Sequence, residues 1–214
     1  MMEEIESHKI MAMEPEKRDR IINAAMREFS KGFKNASTDE IVKEAGISKG
    51  LLFHYFGSKE KLYEFIILDS IDLMTSNYFD LINFEQTDIL DRIWQMSLLK
   101  MDLSRKYPLL FDFAAAAYVH EKDNPSSKFA EMFREIQDRV AENAFKNIDY
   151  SVFKDGIAPE KAINIIWWSL MGYANSLVPS GKNIAMFKLE YERYLSEMQE
   201  YFDIFKKIFY KEEP

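Results

Sequence analysis

An all-α fold is predicted, with a three-helix N-terminal module of short elements and a larger helical domain behind it. Three observations predict it. Apolar residues recur at three- and four-residue spacing along the chain, and no long alternating run marks a sheet. Four of the seven glycines, Gly32, Gly46, Gly50 and Gly57, fall in the first 57 residues, so the first helices are short and the later ones longer. Pro108, Pro125 and Pro159 each precede a periodic segment, as prolines of a first helical turn do. The predicted helices are 15–32, 38–45, 49–55, 58–83, 88–105, 108–121, 125–147, 158–178 and 185–210. Residues 1–13 are expected to form a flexible tail, 14–60 the N-terminal module and 61–214 the second domain.

The first helix is "KRDRIINAAMREFSKG", where Ile22, Ala25, Met26 and Phe29 make one apolar stripe and Gly32 suits the C-terminal cap. In "NASTDEIVKEAG", Ser37 and Glu40 stand at capping-box spacing, so a helix begins at Thr38. Ile41, Val42 and Ala45 face its neighbours, and Gly46 ends it. Ile47 makes a tight turn, and Ser48 caps the next helix. Two short helices about such a turn are a helix-turn-helix, whose second helix enters the major groove of DNA. That reading accounts for "ISKGLLFHYFGSKEKL", residues 47–62. Gly50 leaves the backbone open to a phosphate or base edge, and the helix N-terminus at Ser48 and Lys49 offers free N–H groups to phosphate. His54 and Tyr55 reach outward, while Leu52 and Phe56 anchor inward. Lys59, in the first turn of the following helix, is unfavourable for the helix dipole unless a bound phosphate offsets it.

Charge supports the division. The chain of 214 residues carries a formal net charge of −8, which by itself argues against nucleic acid. Residues 17–63, however, hold ten Lys and Arg against six Asp and Glu. The N-terminal part is suited to an anion and the remainder is not. There is no cysteine, which excludes disulfides, thiol catalysis and Cys-based zinc sites and fits a reducing cytoplasm. The acidic start lacks the apolar run of a signal peptide, and no stretch approaches the ~18 uninterrupted apolar residues of a membrane span, so no membrane partner is expected.

The pattern from about 15 to 66, with "RIINAAMREFSKGF" and "STDEIVKEAGISKGLLFHYFGSKEKL", resembles the DNA-binding domain of the tetracycline-repressor (TetR) family of transcriptional regulators. The combination of "AG-I-SKG", "HYF" and "SKEKL" carries the resemblance, which covers roughly a quarter of the chain. It implies DNA contacts at Ser37, Ser48, Lys49, Gly50, His54, Tyr55 and Lys59. Leu51 and Phe53 depart from the family pattern, which commonly has a small hydroxyl residue and a tyrosine there. Leu51 can instead touch a thymine methyl. The resemblance also implies that the second domain binds a small-molecule effector and dimerises, and that the chain is a homodimeric repressor of a palindromic double-stranded operator.

In that domain aromatic and methionine side chains gather with few polar groups, which is the composition of a small-molecule site and also of an ordinary core. Trp94, Phe111, Tyr118, Asn164, Trp168 and Met171 are the expected effector contacts, and the effector is expected to be small and largely apolar. The long helix 58–83 is expected to join the two parts, with Leu73, Phe79 and Leu81 lying deep. In the last helix apolar residues step by four and three, as a seam for another helix does. With helix 158–178 it is expected to form the dimer interface through Trp167, Leu170, Ala174, Leu195, Met198, Phe202 and Phe205.

An enzyme and an all-helical protein-binding adaptor are the alternatives. The three histidines, His8, His54 and His120, have no second histidine at metal-ligand spacing, and neither a Gly-rich phosphate loop nor a Gly-x-Ser-x-Gly elbow is present. No cofactor, no metal and no catalytic residue is expected.

Overall fold

The computed structural model describes residues 13–124, 127–177 and 191–212. His8, Pro125, most of the tail and the first residues of the expected last helix lie outside them. Nine α-helices are described: α1 Pro15–Phe29, α2 Thr38–Ala45, α3 Lys49–Phe56, α4 Lys59–Asn77, α5 Ile89–Lys106, α6 Leu110–Glu121, α7 Lys128–Ala144, α8 Pro159–Leu177 and α9 Tyr191–Phe209. Short 3₁₀ turns lie at Phe79–Leu81 and Tyr150–Val152. The fold is all-α, as expected. Two compact units make it up. The first runs to Asn77 and adds Tyr107–Gln137; the second holds Tyr78–Lys106 and the chain from Asp138 onward.

Local chemistry sets the helix ends. Met13 is buried rather than part of a loose tail, and Pro15 opens α1 where no N–H is needed. The buried stripe of α1 holds Ala25, Met26 and Phe29, as expected, and adds Ile21 and Ala24, whereas Ile22 is only half-buried. The expected helix 58–83 stops at Asn77. There the Asn77 amide nitrogen donates back to the Leu73 carbonyl at 3.0 Å, and Tyr78 leaves the helical region at φ −138°, ψ −68°. Leu81, expected deep, is exposed, and Phe79 is half-buried with the Arg139 guanidinium 5.7 Å from its ring centre. The start of α7 is set by Ser127, whose hydroxyl accepts from the N–H groups of Phe129 and Ala130.

In the first unit, Phe29, Tyr63 and Phe113 tie α1, α4 and α6 together through ring centroids 5.0–6.4 Å apart. The second unit is built on Leu90 and Ile93 of α5, Ile163, Ile166 and Leu170 of α8, and Met198, Phe202 and Phe205 of α9. Its C-terminal end is fastened by a short antiparallel bridge between Phe153 and Tyr210, where the Lys154 N–H donates to Phe209 O and the Lys211 N–H to Val152 O, both at 2.8 Å.

Arg92 went unread in the sequence. It is fully buried on α5, and its guanidinium donates to the carbonyls of Phe84, Gln86, Asn143, Ala144 and Lys146. It therefore caps the C-terminal end of α7, where a cation is favoured by the helix dipole. Burial lowers its pKa from the ordinary arginine value, yet five carbonyl partners hold the charge in place.

Candidate nucleic-acid interface

The turn between α2 and α3 is built by caps. The Ser37 hydroxyl accepts from the Glu40 N–H at 3.3 Å and starts α2. Gly46, at φ +66°, ends it. The Ile47 N–H then donates to Val42 O at 3.0 Å and the Gly46 N–H to Lys43 O at 3.3 Å, a Schellman closure that only a residue at ease with positive φ completes cheaply. Ser48 caps α3 by accepting from the Leu51 N–H at 3.2 Å.

Polar bonds from α1 fix α2 at both ends. At its start the Glu28 carboxylate accepts from the Ser37 N–H at 3.2 Å. At its end Arg20 Nε donates to Ala45 O at 3.3 Å, and Arg27 pairs with Glu44 at 2.7 Å. An acid thus sits at the N-terminus of α2 and two bases at its C-terminus, the arrangement the helix dipole favours. Burial pushes the Glu28 carboxyl up. The hydrogen bond from Lys31, that from the Ser37 N–H and the Lys31 charge together outweigh burial and leave it below its ordinary value.

On α3, Leu52 and Phe56 are buried and hold the helix to the module. Ser48, Lys49, Gly50 and His54 are exposed, and Tyr55 is half-buried with its ring edge-on to His54, 5.4 Å between centroids. A Cβ added at Gly50 would meet nothing within 4 Å, so no packing inside the protein requires a glycine there. Lys49 pairs with Asp39 of α2 at 2.8 Å, both exposed. The Lys59 ammonium stands 4.7 Å over the Phe33 ring, a cation–π perch just past α3. Six of the seven expected contact residues, from Ser48 to Lys59, lie within twelve residues of chain, and Ser37 caps the helix in front of them. Phe33 was missed in the sequence; its place one residue after the Gly32 turn was the only signal.

The expected effector contacts are divided between the two units. Phe111 and Tyr118 belong to the first unit, and Trp94, Asn164, Trp168 and Met171 to the second. Trp94 packs edge-on to Phe202 inside its core. Trp168 is 67% exposed, and Met171 is exposed as well. The expected dimer contacts are corrected likewise. Leu170, Met198, Phe202 and Phe205 are buried in the core of their own unit. The apolar residues left outside are Ile165, Trp168 and Met171 on α8, and Tyr201, Ile204 and Ile208 on α9. Residues spaced by four and three identify an apolar face; they do not say whether the chain's own core covers it.

No helix among the described residues is long and apolar enough to cross a membrane. Among them, no group of three His, Asp or Glu is placed to hold a metal ion.

Comparison with known proteins agrees with the geometry. Residues 21–66 match the family model described as bacterial regulatory proteins, tetR family. The HTH-type transcriptional regulator UidR of Escherichia coli (strain K12) is 52% identical over 52 residues, 24% of this chain and 26% of that protein. The HTH-type transcriptional regulator RutR of the same strain is 35% identical over 94 residues, 43% of each chain. The match to UidR thus spans about a quarter of that relative's length. Over nearly the whole chain the likeness is of fold. The ketosteroid transcriptional regulator KstR2 of Mycobacterium tuberculosis superposes with a TM-score of 0.61 at 16% identity, over 94% of this chain and 98% of that one. A TetR family transcriptional regulator from Chloroflexus aurantiacus J-10-FL gives 0.59 at 17%, over 96% and 98%. The capped α2–turn–α3 unit, with its outward face clear, thus lies inside the segment 21–66 that matches the tetR family of bacterial regulatory proteins, in an all-α chain that shares the fold of these solved regulators.

Proposed function

We propose that the chain is a cytoplasmic, DNA-binding transcriptional regulator that acts as a homodimer on a palindromic double-stranded operator. It represses until a small-molecule effector releases it, and it catalyses no reaction. The observation that carries the DNA reading is Gly50: a glycine in the first turn of α3, exposed, with open space where a side chain would stand. Glycine weakens a helix relative to alanine, and nothing in the chain's own packing returns that cost. A phosphate or base edge approaching the backbone does. The seven contact residues Ser37, Ser48, Lys49, Gly50, His54, Tyr55 and Lys59 are proposed on the same footing. The names of UidR and RutR, both transcriptional regulators, favour this reading over an enzyme or an adaptor.

For the dimer, the exposed apolar residues of α8 and α9 are proposed as the surface, Trp168 being the most exposed of them. A contiguous apolar patch is rare on a monomer and marks an interaction site. The reading is tested by selecting binding sites from a random DNA pool with the full-length protein. Recovery of two inverted half-sites about one helical turn apart is expected. Recovery of no sequence above the input pool overturns it.

A further inference from the structure

The first unit contains a cavity of about 400 Å³ outside the α3 face, walled by the end of α6, the first turns of α4, the start of α7 and Phe33. That volume lies within the range that holds a drug-sized ligand. We infer that it is a binding site for a small organic cation with an aromatic or aliphatic body, and that this cation is the effector. The assignment rests on the reading of the chain as an effector-responsive regulator. It replaces the largely apolar effector that composition suggested, and none of the six residues expected from the sequence is in the wall.

Two independent features of the wall select this chemistry. The first is charge. Glu60, Glu64 and Glu121 line the cavity, and among the described residues of its wall the one lysine is Lys128, whose ammonium lies 5.1 Å over the Phe129 ring. Glu121 accepts from the Ser127 hydroxyl through one oxygen, and the other stands 3.9 Å from His120 Nε2. The walls between the carboxylates are the rings of Phe33, Tyr63 and Phe129. Acids set among aromatic faces suit a cation, which gains from both, and disfavour an anion of the same shape.

The second feature is Tyr63. It is 4% exposed, and its hydroxyl has no hydrogen-bond partner among the described residues. An unpaired buried hydroxyl is costly, and Tyr63 belongs to the cavity wall, so a ligand that displaces the cover over this oxygen satisfies it. Burial and the nearby Glu121 push the phenol well above its ordinary range, so it stays neutral and both donates and accepts. An ammonium N–H is a partner for its oxygen.

The site also bears on DNA. Phe33 and Glu60 are in the wall, and Lys59, the neighbour of Glu60, rests its ammonium on the other partner, Phe33. A cation seated against the Phe33 ring competes with Lys59 for it.

The test uses full-length protein, without DNA, and three probes of one shape: tryptamine, 3-ethylindole and indole-3-propionate, each titrated calorimetrically up to millimolar concentration. Tryptamine is expected to bind at least tenfold more tightly than the neutral analogue, and the anion not at all. Glu121→Gln is expected to weaken tryptamine about tenfold. Tyr63→Phe is expected to weaken it about three- to tenfold, as loss of one hydrogen bond does, while its melting temperature stays level or rises because an orphaned hydroxyl is gone. Equal binding of cation and neutral analogue, binding unmoved in both variants, or no heat with tryptamine overturns the inference. None of these outcomes touches DNA binding, which the operator selection judges separately.

Discussion

Gly50, His54 and Lys59 play separable parts if α3 lies in a major groove. Gly50→Ala adds a methyl into open space on an ordinary helical backbone. The protein should therefore become more stable by about 0.5 kcal/mol while operator affinity falls at least tenfold. Chemical denaturation and operator titration on one preparation check both. A variant that gains stability and keeps its affinity shows that no partner approaches that backbone. Lys59→Ala removes a positive charge perched on Phe33. It should weaken binding to all sequences alike and flatten the dependence of log affinity on log salt by ~0.9, one phosphate's share. The exposed His54 should instead set preference: in His54→Ala the ranking of selected sequences changes. An unchanged ranking removes it from the base-reading set. These residues were legible in the sequence because short capped helices are local chemistry: Ser37, Gly46, Ser48 and Gly57 each act on neighbours a few residues away. Phe33 was not, because its partners Lys59, Tyr63 and His120 are brought to it only by tertiary packing.

At the scale of the element, α2 is held by α1 through Glu28, and its pH dependence follows from the direction of the shift. A carboxyl depressed below its ordinary value of 4.5 contributes stability that is fully present above 4.5 and is lost as pH falls through the lower, folded value. Glu28→Gln should cost about 1 kcal/mol at neutral pH, and the gap between variant and wild type should close as the pH is lowered below 4.5. Melting temperatures across that range measure it, and a constant gap assigns the loss to shape rather than charge. The ends of α8 and α9 teach a different lesson. The apolar steps from Leu195 to Phe205 are plain in the sequence, but burial within the chain takes Met198, Phe202 and Phe205. What remains for a partner copy is the adjoining face, Ile204 at 50% and Ile208 at 51% exposed. Two substitutions separate the faces. Phe202→Glu should unfold the second unit, whereas Ile204→Glu should leave helix content intact and give a monomer in sedimentation at micromolar concentration. A dimeric Ile204→Glu moves the interface elsewhere. The same limit hid Arg92: a lone arginine in an amphipathic helix reads as surface until the chain folds five carbonyls onto it.

For the whole molecule the question is how a small ligand reaches the DNA. The described geometry places the proposed effector cavity and the proposed phosphate contact on one element, since Lys59, Glu60, Tyr63 and Glu64 occupy the first turns of α4. Coupling then needs no long path. An occupant that displaces the Lys59 ammonium from Phe33 or moves the first turn of α4 alters the phosphate contact directly, and in a symmetric dimer it does so at both half-sites. Linkage fixes the form of the result: whatever factor the ligand takes from operator affinity, the operator must take from ligand affinity. Typical coupling of ~1–3 kcal/mol corresponds to roughly a five- to 150-fold change. Tryptamine titrated into free protein and into the protein–operator complex should therefore differ by a factor in that range, with the complex the weaker binder. Operator titrated with and without saturating tryptamine should return the same factor. Lys59→Ala should shrink both factors together, because the group that the cavity wall and the phosphate share has been removed. Equal ligand affinities in the free and operator-bound protein would leave the cavity a binding site without control over DNA.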